Sequence, residues 1–130
     1  MWSRPAVTVP AAVEQSLISV FGEGVRRVRI IEHSLYARVH AGAVATTRRR
    51  RIFLSGSAAD FFSNPSLMLH EFCHVLLQWE TGRLTRAAYL LEWLRRGYWN
   101  NGFEVEARRF AQSNLHRFRA LLSRPAPGIG

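Results

Sequence analysis

The sequence predicts an α+β chain organised round one buried helix, and three observations carry that expectation. Runs of β-branched residues lie in the first half, at 25–32 and 46–55. Helix-period segments fill most of the second half, and no strand–helix–strand alternation links the two. The expected layout is an N-terminal helix and a small sheet with an edge strand, followed by a buried helix and two further C-terminal helices.

In chain order, Val13, Leu17, Ile18 and Phe21 recur at helical spacing behind Pro10, and Gly22 and Gly24 stop the helix. Residues 25–32 alternate Val25, Val28 and Ile30 with Arg26, Arg27 and Arg29, an imperfect period of two that reads as a strand. Residues 34–45 are ambiguous. Residues 46–55 end in Ile52-Phe53-Leu54 before Gly56 and read as a second strand. Arg48 to Arg51 would repel one another inside a sheet, so this stretch is expected at a solvent-facing edge or hairpin. Residues 66–79 are apolar nearly all round, with Pro65 before them and Gly82 after, as in a buried helix. Leu84, Ala87, Ala88, Leu91 and Leu94 trace an amphipathic helix ended by Gly97, and a last helix is expected over 102–122.

At 130 residues the chain suits one core and is too short for two. Residues 1–10 read as a lead-in, 11–123 as the single domain, and 124–130, rich in proline and glycine, as a tail. Cys73 is the single cysteine, which excludes an intrachain disulfide. No stretch reaches the roughly 18 apolar residues of a membrane span, and no Sec-type signal opens the chain, so the expected location is cytoplasmic, or exported without a Sec signal. Eighteen basic residues against nine acidic ones give a net charge of +9. All eighteen are arginine, suited to bidentate contact with carboxylates or phosphates, so an anionic partner is expected through Arg48, Arg49, Arg50 and Arg51.

The chemistry concentrates in His70-Glu71-Phe72-Cys73-His74, an HExxH sequence. On a helix, residues four apart share a face, so both imidazoles reach one ion while Glu71 projects about 100° away. Zinc accepts two such nitrogens at about 2.0–2.1 Å and keeps one position for water, whose pKa it lowers toward about 7. Glu71 would take that water's proton. A helix burying two histidines and a glutamate without a metal would carry unpaired polar groups in the core.

A third protein ligand is needed, and the last helix offers Glu104 and Glu106. At about 100° per residue, Phe103, Ala107, Phe110, Ala111, Leu115, Phe118, Leu121 and Leu122 share one arc, and Glu104 lies inside it. Glu106 falls outside. Ala107 and Ala111 are small enough to let this helix approach the HExxH helix closely. Glu104 is the expected ligand, with Glu106 the alternative.

These residues resemble a gluzincin-type zinc metallopeptidase, in which HExxH is followed by a helix of the form Glu-x-x-small, here Glu104-Val105-Glu106-Ala107 with Phe110 beyond. Many such families have Asp or Asn after the small residue to support a zinc histidine, whereas this chain has Arg108. The stretch from Pro10 to Gln78 also resembles the compact HExxH domain of unknown function associated with bacterial extracellular contractile injection systems. It shares a proline-led helix ending in Phe21-Gly22, then Val28-Arg29-Ile30, Ala43 to Thr47, Arg51-Ile52-Phe53-Leu54, and His70 to Val75 with Gln78. The resemblance implies a minimal zincin-like domain with Zn²⁺ as cofactor. It also implies that Arg50 to Leu54 is the edge that pairs with an extended peptide, which makes Arg51 and Phe53 candidate substrate contacts.

Tyr98 precedes the third ligand and is a candidate to stabilise an oxyanion. Gln78, one turn beyond His74, could hydrogen-bond near the site. His33, His40 and His116 lack ligand spacing. The expected function is a zinc-dependent peptide-bond hydrolase acting on a peptide or protein, with Glu71 as general base. The alternative is an inactive zinc-binding module whose basic surface docks on nucleic acid or an acidic protein. Contact of Trp79, Trp93, Tyr98 and Trp99 with a membrane surface is a third reading.

Overall fold

The computed structural model of the chain describes residues 6–34, 45–97 and 99–124. His40, Ala43, Val44, Tyr98 and the tail from Pro125 lie outside them, as does most of the ambiguous 34–45 stretch. The fold is α+β, as the sequence predicts.

Helix α1 (Ala11–Phe21) follows Pro10 and ends at Gly22, whose φ of 89° suits a residue without Cβ. A 3₁₀ turn (Glu23–Arg27) then leads into β1 (Arg29–Ile31). The strand expected over 25–32 is therefore shorter: Val25 is buried from the turn, and pairing starts only at Arg29.

The expected strand at 46–55 is a hairpin of β2 (Ala45–Arg48) and β3 (Arg51–Leu54), with Arg49 and Arg50 as its two-residue turn. Arg50 sits at φ 62°, a left-handed conformation that lets the chain reverse. Arg48 pairs with Arg51 across the hairpin, and Glu80 relieves the crowded charge, taking Arg50 at 3.0 Å and Arg49 at 3.7 Å.

The sheet order is β1-β3-β2, with β1 parallel and β2 antiparallel to β3. This corrects the expected edge. Arg51 and Phe53 stand on the central strand, whose backbone is paired on both sides, so they cannot receive an added peptide strand. Ile30, Ile52 and Leu54 instead need cover on one face and find it against the helices, which draws β3 to the middle.

A short α2 (Ala58–Phe62), capped by Ser57, precedes α3 (Pro65–Cys73), which opens with Pro65 behind an Asn64 side chain bonded to Leu67 N–H. The expected helix over 66–79 is continuous but changes character. At His74 it widens into a π turn, His74–Trp79, closed by Glu80 N–H to the Val75 carbonyl. Next come α4 (Arg86–Arg96), capped by Thr85, and α5 (Gly102–Leu122), capped by Asn101.

The core is held between α3 and α5. Met68, Leu69, Phe72, Val75 and Phe118 are fully buried with Leu17 and Ile52, and Phe21 bridges Phe72 and Phe110 at ring distances of 5.9 and 5.1 Å. Ala107 and Ala111 are the buried small residues through which α5 approaches α3.

Helix α4 is amphipathic, as expected, and its apolar side faces outward. Leu84 is buried just before it, yet Leu90, Leu91 and Leu94 are more than half exposed. The polar side faces inward because its partners are there: Tyr89 donates to Glu104 at 3.0 Å, and Glu92 accepts from Gly102 N–H at 3.0 Å.

Candidate metal centre

The close approach of α5 to α3 brings three side chains to one point. His70 Nε2 lies 3.0 Å from Glu104 Oε1, His74 Nε2 lies 3.1 Å from the same oxygen, and the two Nε2 atoms are 3.2 Å apart. The imidazoles meet edge to face at 4.8 Å, as expected for residues one turn apart on α3. Tetrahedral coordination at zinc–ligand distances near 2.0–2.1 Å sets ligand atoms about 3.3–3.4 Å apart, so this triangle is within a few tenths of an ångström of what the ion requires.

The chemistry of the donor set points the same way. Gln78 fixes the His74 tautomer: its amide nitrogen donates to the Phe103 carbonyl at 3.0 Å and to Glu106 Oε1 at 2.8 Å, so its oxygen must face His74 Nδ1, 2.6 Å away. The Nδ1 atom therefore carries a proton and donates it. In neutral His74 the Nε2 lone pair then points at another imidazole nitrogen and a carboxylate oxygen. Such a cluster needs either a proton or a cation at its centre.

The titration behaviour reflects this. Burial opposes charge on His74, but the bonds and charge of Glu104, with Glu71 and Gln78, lift its pKa to about 9. Burial likewise opposes charge on Glu104, yet hydrogen bonds from His70 and His74 hold its carboxyl well below the usual carboxylate range. At neutral pH the centre is electrostatically set for a positive charge.

Glu71 is 7% exposed, on the adjoining helix position. Burial raises its carboxyl pKa against the opposing pull of the two histidines. His70 is the most open of the three clustered side chains, 17% exposed against 5% and 7% for His74 and Glu104, so the centre is approached from the His70 side.

Of the residues singled out from sequence, His70, His74 and Glu104 stand together, and Glu71 adjoins them. Glu106 is elsewhere, bound to Gln78 and, through two bonds of 3.0 and 2.8 Å, to Arg83. Arg108, which replaces the usual Asp or Asn, stacks on Trp99, 3.8 Å from its ring centre, and donates to the Trp99 carbonyl. His74 Nδ1 has Gln78 Oε1 as its acceptor. Arg51 and Phe53 lie on the central strand. His33 and His116 are exposed, as expected.

Among the described residues the tyrosine that reaches the cluster is Tyr89, whose hydroxyl donates to Glu104 Oε2 and leaves Oε1 for the histidines. Sequence reasoning missed it because an apolar stripe does not say which side of α4 meets the protein. The signal was present: Tyr89 and Glu92 share the opposite, polar side of that helix.

Residues 8–82 match the family of the eCIS core domain. The matched stretch holds His70, Glu71, His74 and Gln78 and ends before α4 and α5, so Tyr89 and Glu104 lie beyond it. No curated protein and no solved structure matches the chain.

Proposed function

We propose that this chain, which belongs to the eCIS core domain family, is a zinc-dependent peptide-bond hydrolase of the gluzincin type. The observation that carries the reading is the convergence of His70 Nε2, His74 Nε2 and Glu104 Oε1 within 3.2 Å of one another, beside a buried Glu71. His70, His74 and Glu104 hold the ion, Gln78 orients His74, and Tyr89 orients Glu104. The zinc supplies Lewis acidity toward a peptide carbonyl and lowers the pKa of water at the site.

Glu71 then accepts the proton of the attacking water and returns it to the departing amine. Its raised pKa suits that task, because a general base works best when its affinity for the proton lies near the working pH. An extended peptide would align along β2, an outer strand of the sheet, which packs on α3 and the π turn. A basic dock for nucleic acid is less well supported, because Glu80 engages Arg49 and Arg50 of the arginine run.

Metal analysis of purified protein should give about one zinc per chain. Glu71→Gln should keep that zinc and cleave a peptide library about 100-fold more slowly, or worse. Wild-type protein that takes up no metal overturns the reading. A Glu71→Gln variant that cleaves as fast as wild type overturns the role of Glu71.

A further inference from the structure

Helix α4 is amphipathic but turned the wrong way for a core helix. Ala88, Tyr89 and Glu92 face the protein, while Ala87, Leu90, Leu91 and Leu94 face away. At about 100° per residue these four span an arc of roughly 100°. Leu90 and Leu91 are 55% exposed and Leu94 67%, so they stand out as a ridge instead of lining a groove. Trp93 and Trp99, 48% and 67% exposed, add indole surface on the helix and just beyond its end. Together they present more clustered apolar side chain than a surface helix normally leaves in water.

The charges round this ridge narrow what can cover it. Arg86 and Arg95 are exposed on either side of the ridge, Arg96 is paired with Glu92 at 3.9 Å, and Arg108 is stacked on Trp99. The one acid of α4, Glu92, is turned inward and bonded to Gly102 N–H. A second copy seated on the ridge would bring four flanking arginines together, Arg86 and Arg95 of each, with no outward acid on either helix, in a chain of net charge +9. The surface that fits is anionic and needs no shaped pocket to receive the leucines. Leucine and tryptophan on the outer side with arginine flanking is the pattern of a helix that lies in the plane of a lipid headgroup layer.

We infer that α4 docks this protein on an anionic lipid bilayer, with Leu90, Leu91 and Leu94 entering the headgroup boundary and Arg86 and Arg95 contacting lipid phosphates. Tyr89, on the opposite side of the same helix, ties the docked element to Glu104 of the metal centre. Docking would thus hold the centre at a fixed height over the membrane. The inference draws on residues outside the centre, and its failure would leave the hydrolase reading untouched.

The test is co-sedimentation of the full chain with phosphatidylcholine vesicles, with and without phosphatidylglycerol. Wild type should bind the anionic vesicles at least about tenfold more tightly than the neutral ones, and less tightly as salt rises. Leu90→Asn with Leu94→Asn should abolish binding while leaving the thermal midpoint unchanged, since both positions are solvent-facing. Arg86→Gln with Arg95→Gln should remove the preference for anionic lipid. Binding that survives the leucine changes overturns the inference, as does failure to bind either vesicle. A concentration-dependent dimer lost with the leucine changes would assign the ridge to a second copy, and capture of an acidic protein in preference to vesicles would assign it there.

Discussion

Gln78 and His74 are joined through the amide oxygen and Nδ1 at 2.6 Å, and the direction of that bond is settled from the far side of the amide. Its nitrogen has only acceptors to face, the Phe103 carbonyl and Glu106 Oε1, and Glu106 is itself clamped by Arg83. The chain from Arg83 through Glu106 and Gln78 therefore aims His74 Nε2 at the cluster. Gln78→Leu roughly keeps the volume but removes the acceptor, and losing a bond that orients a ligating histidine reduces metal affinity about 10- to 100-fold. Competition with a chromogenic chelator measures the change. Gln78→Leu with wild-type affinity would mean that packing alone orients the ring.

Glu104 closes the centre from another helix, so metal binding and tertiary structure are coupled. Zinc at about 1,000 times its dissociation constant should add about 4 kcal/mol to stability, read as a rise in thermal midpoint. Chelation should reverse it, and Glu104→Ala should abolish the zinc-dependent shift. A Glu104→Ala variant that still shows the full shift would place the third ligand elsewhere.

How much of this was legible follows from which constraints are local. His70, Glu71 and His74 are fixed by one turn of helix, so periodicity alone places them. Glu104 was reachable because Ala107 and Ala111 mark the closest helix approach on the same arc. The position of β3 was not legible. Its central place depends on the parallel pairing of Arg29 to Ile31 with Arg51 to Phe53, a contact between distant segments that leaves no period in either. The outward ridge of α4 and the anchoring of Gln78 in the π turn were hidden for a related reason: the bonds from Tyr89 to Glu104 and from Gln78 to Phe103 and Glu106 form only once α5 is in place.

The approach of α5 to α3 gives a direct test of that geometry. Ala107 is fully buried between Glu104 and the core, and Ala107→Leu adds three carbons where there is no room. Overpacking of this kind costs about 1–3 kcal/mol. The helices should separate and carry Glu104 from the histidines, so metal affinity falls together with stability. Urea denaturation and metal titration on one preparation check the pair. Lost stability with unaltered metal affinity would show that the centre tolerates the displacement.

Cys73 lies between the two metal-site histidines in sequence but is turned roughly 80° round the helix from them, fully buried. Burial, reinforced by the nearby Glu106, pushes its thiol up to about 12, where almost none is thiolate near neutral pH. Native protein should resist iodoacetamide at pH 8 and label fully in denaturant. Rapid native labelling, followed by mass spectrometry, would contradict the packing of α3 against the sheet and α5.

The hairpin turn supplies a pH dependence with a definite sign. The hydrogen bond and charge of Arg50 hold the Glu80 carboxyl below its ordinary 4.5. A carboxyl lowered by folding stabilises the native state above its unfolded pKa, and that stabilisation disappears as pH falls through the lower folded value. Arg50 also occupies a left-handed conformation, at φ 62°, that glycine adopts at less cost. Arg50→Gly should therefore be more stable than wild type in acid, where Glu80 is protonated and only the backbone relief remains. As pH rises from the lowered folded value to about 4.5 the wild type regains its ion pair, so the advantage should shrink over that range and stay level above it. Urea midpoints at pH 3 and pH 7 test this; an advantage independent of pH would show that Glu80 does not engage the turn in solution.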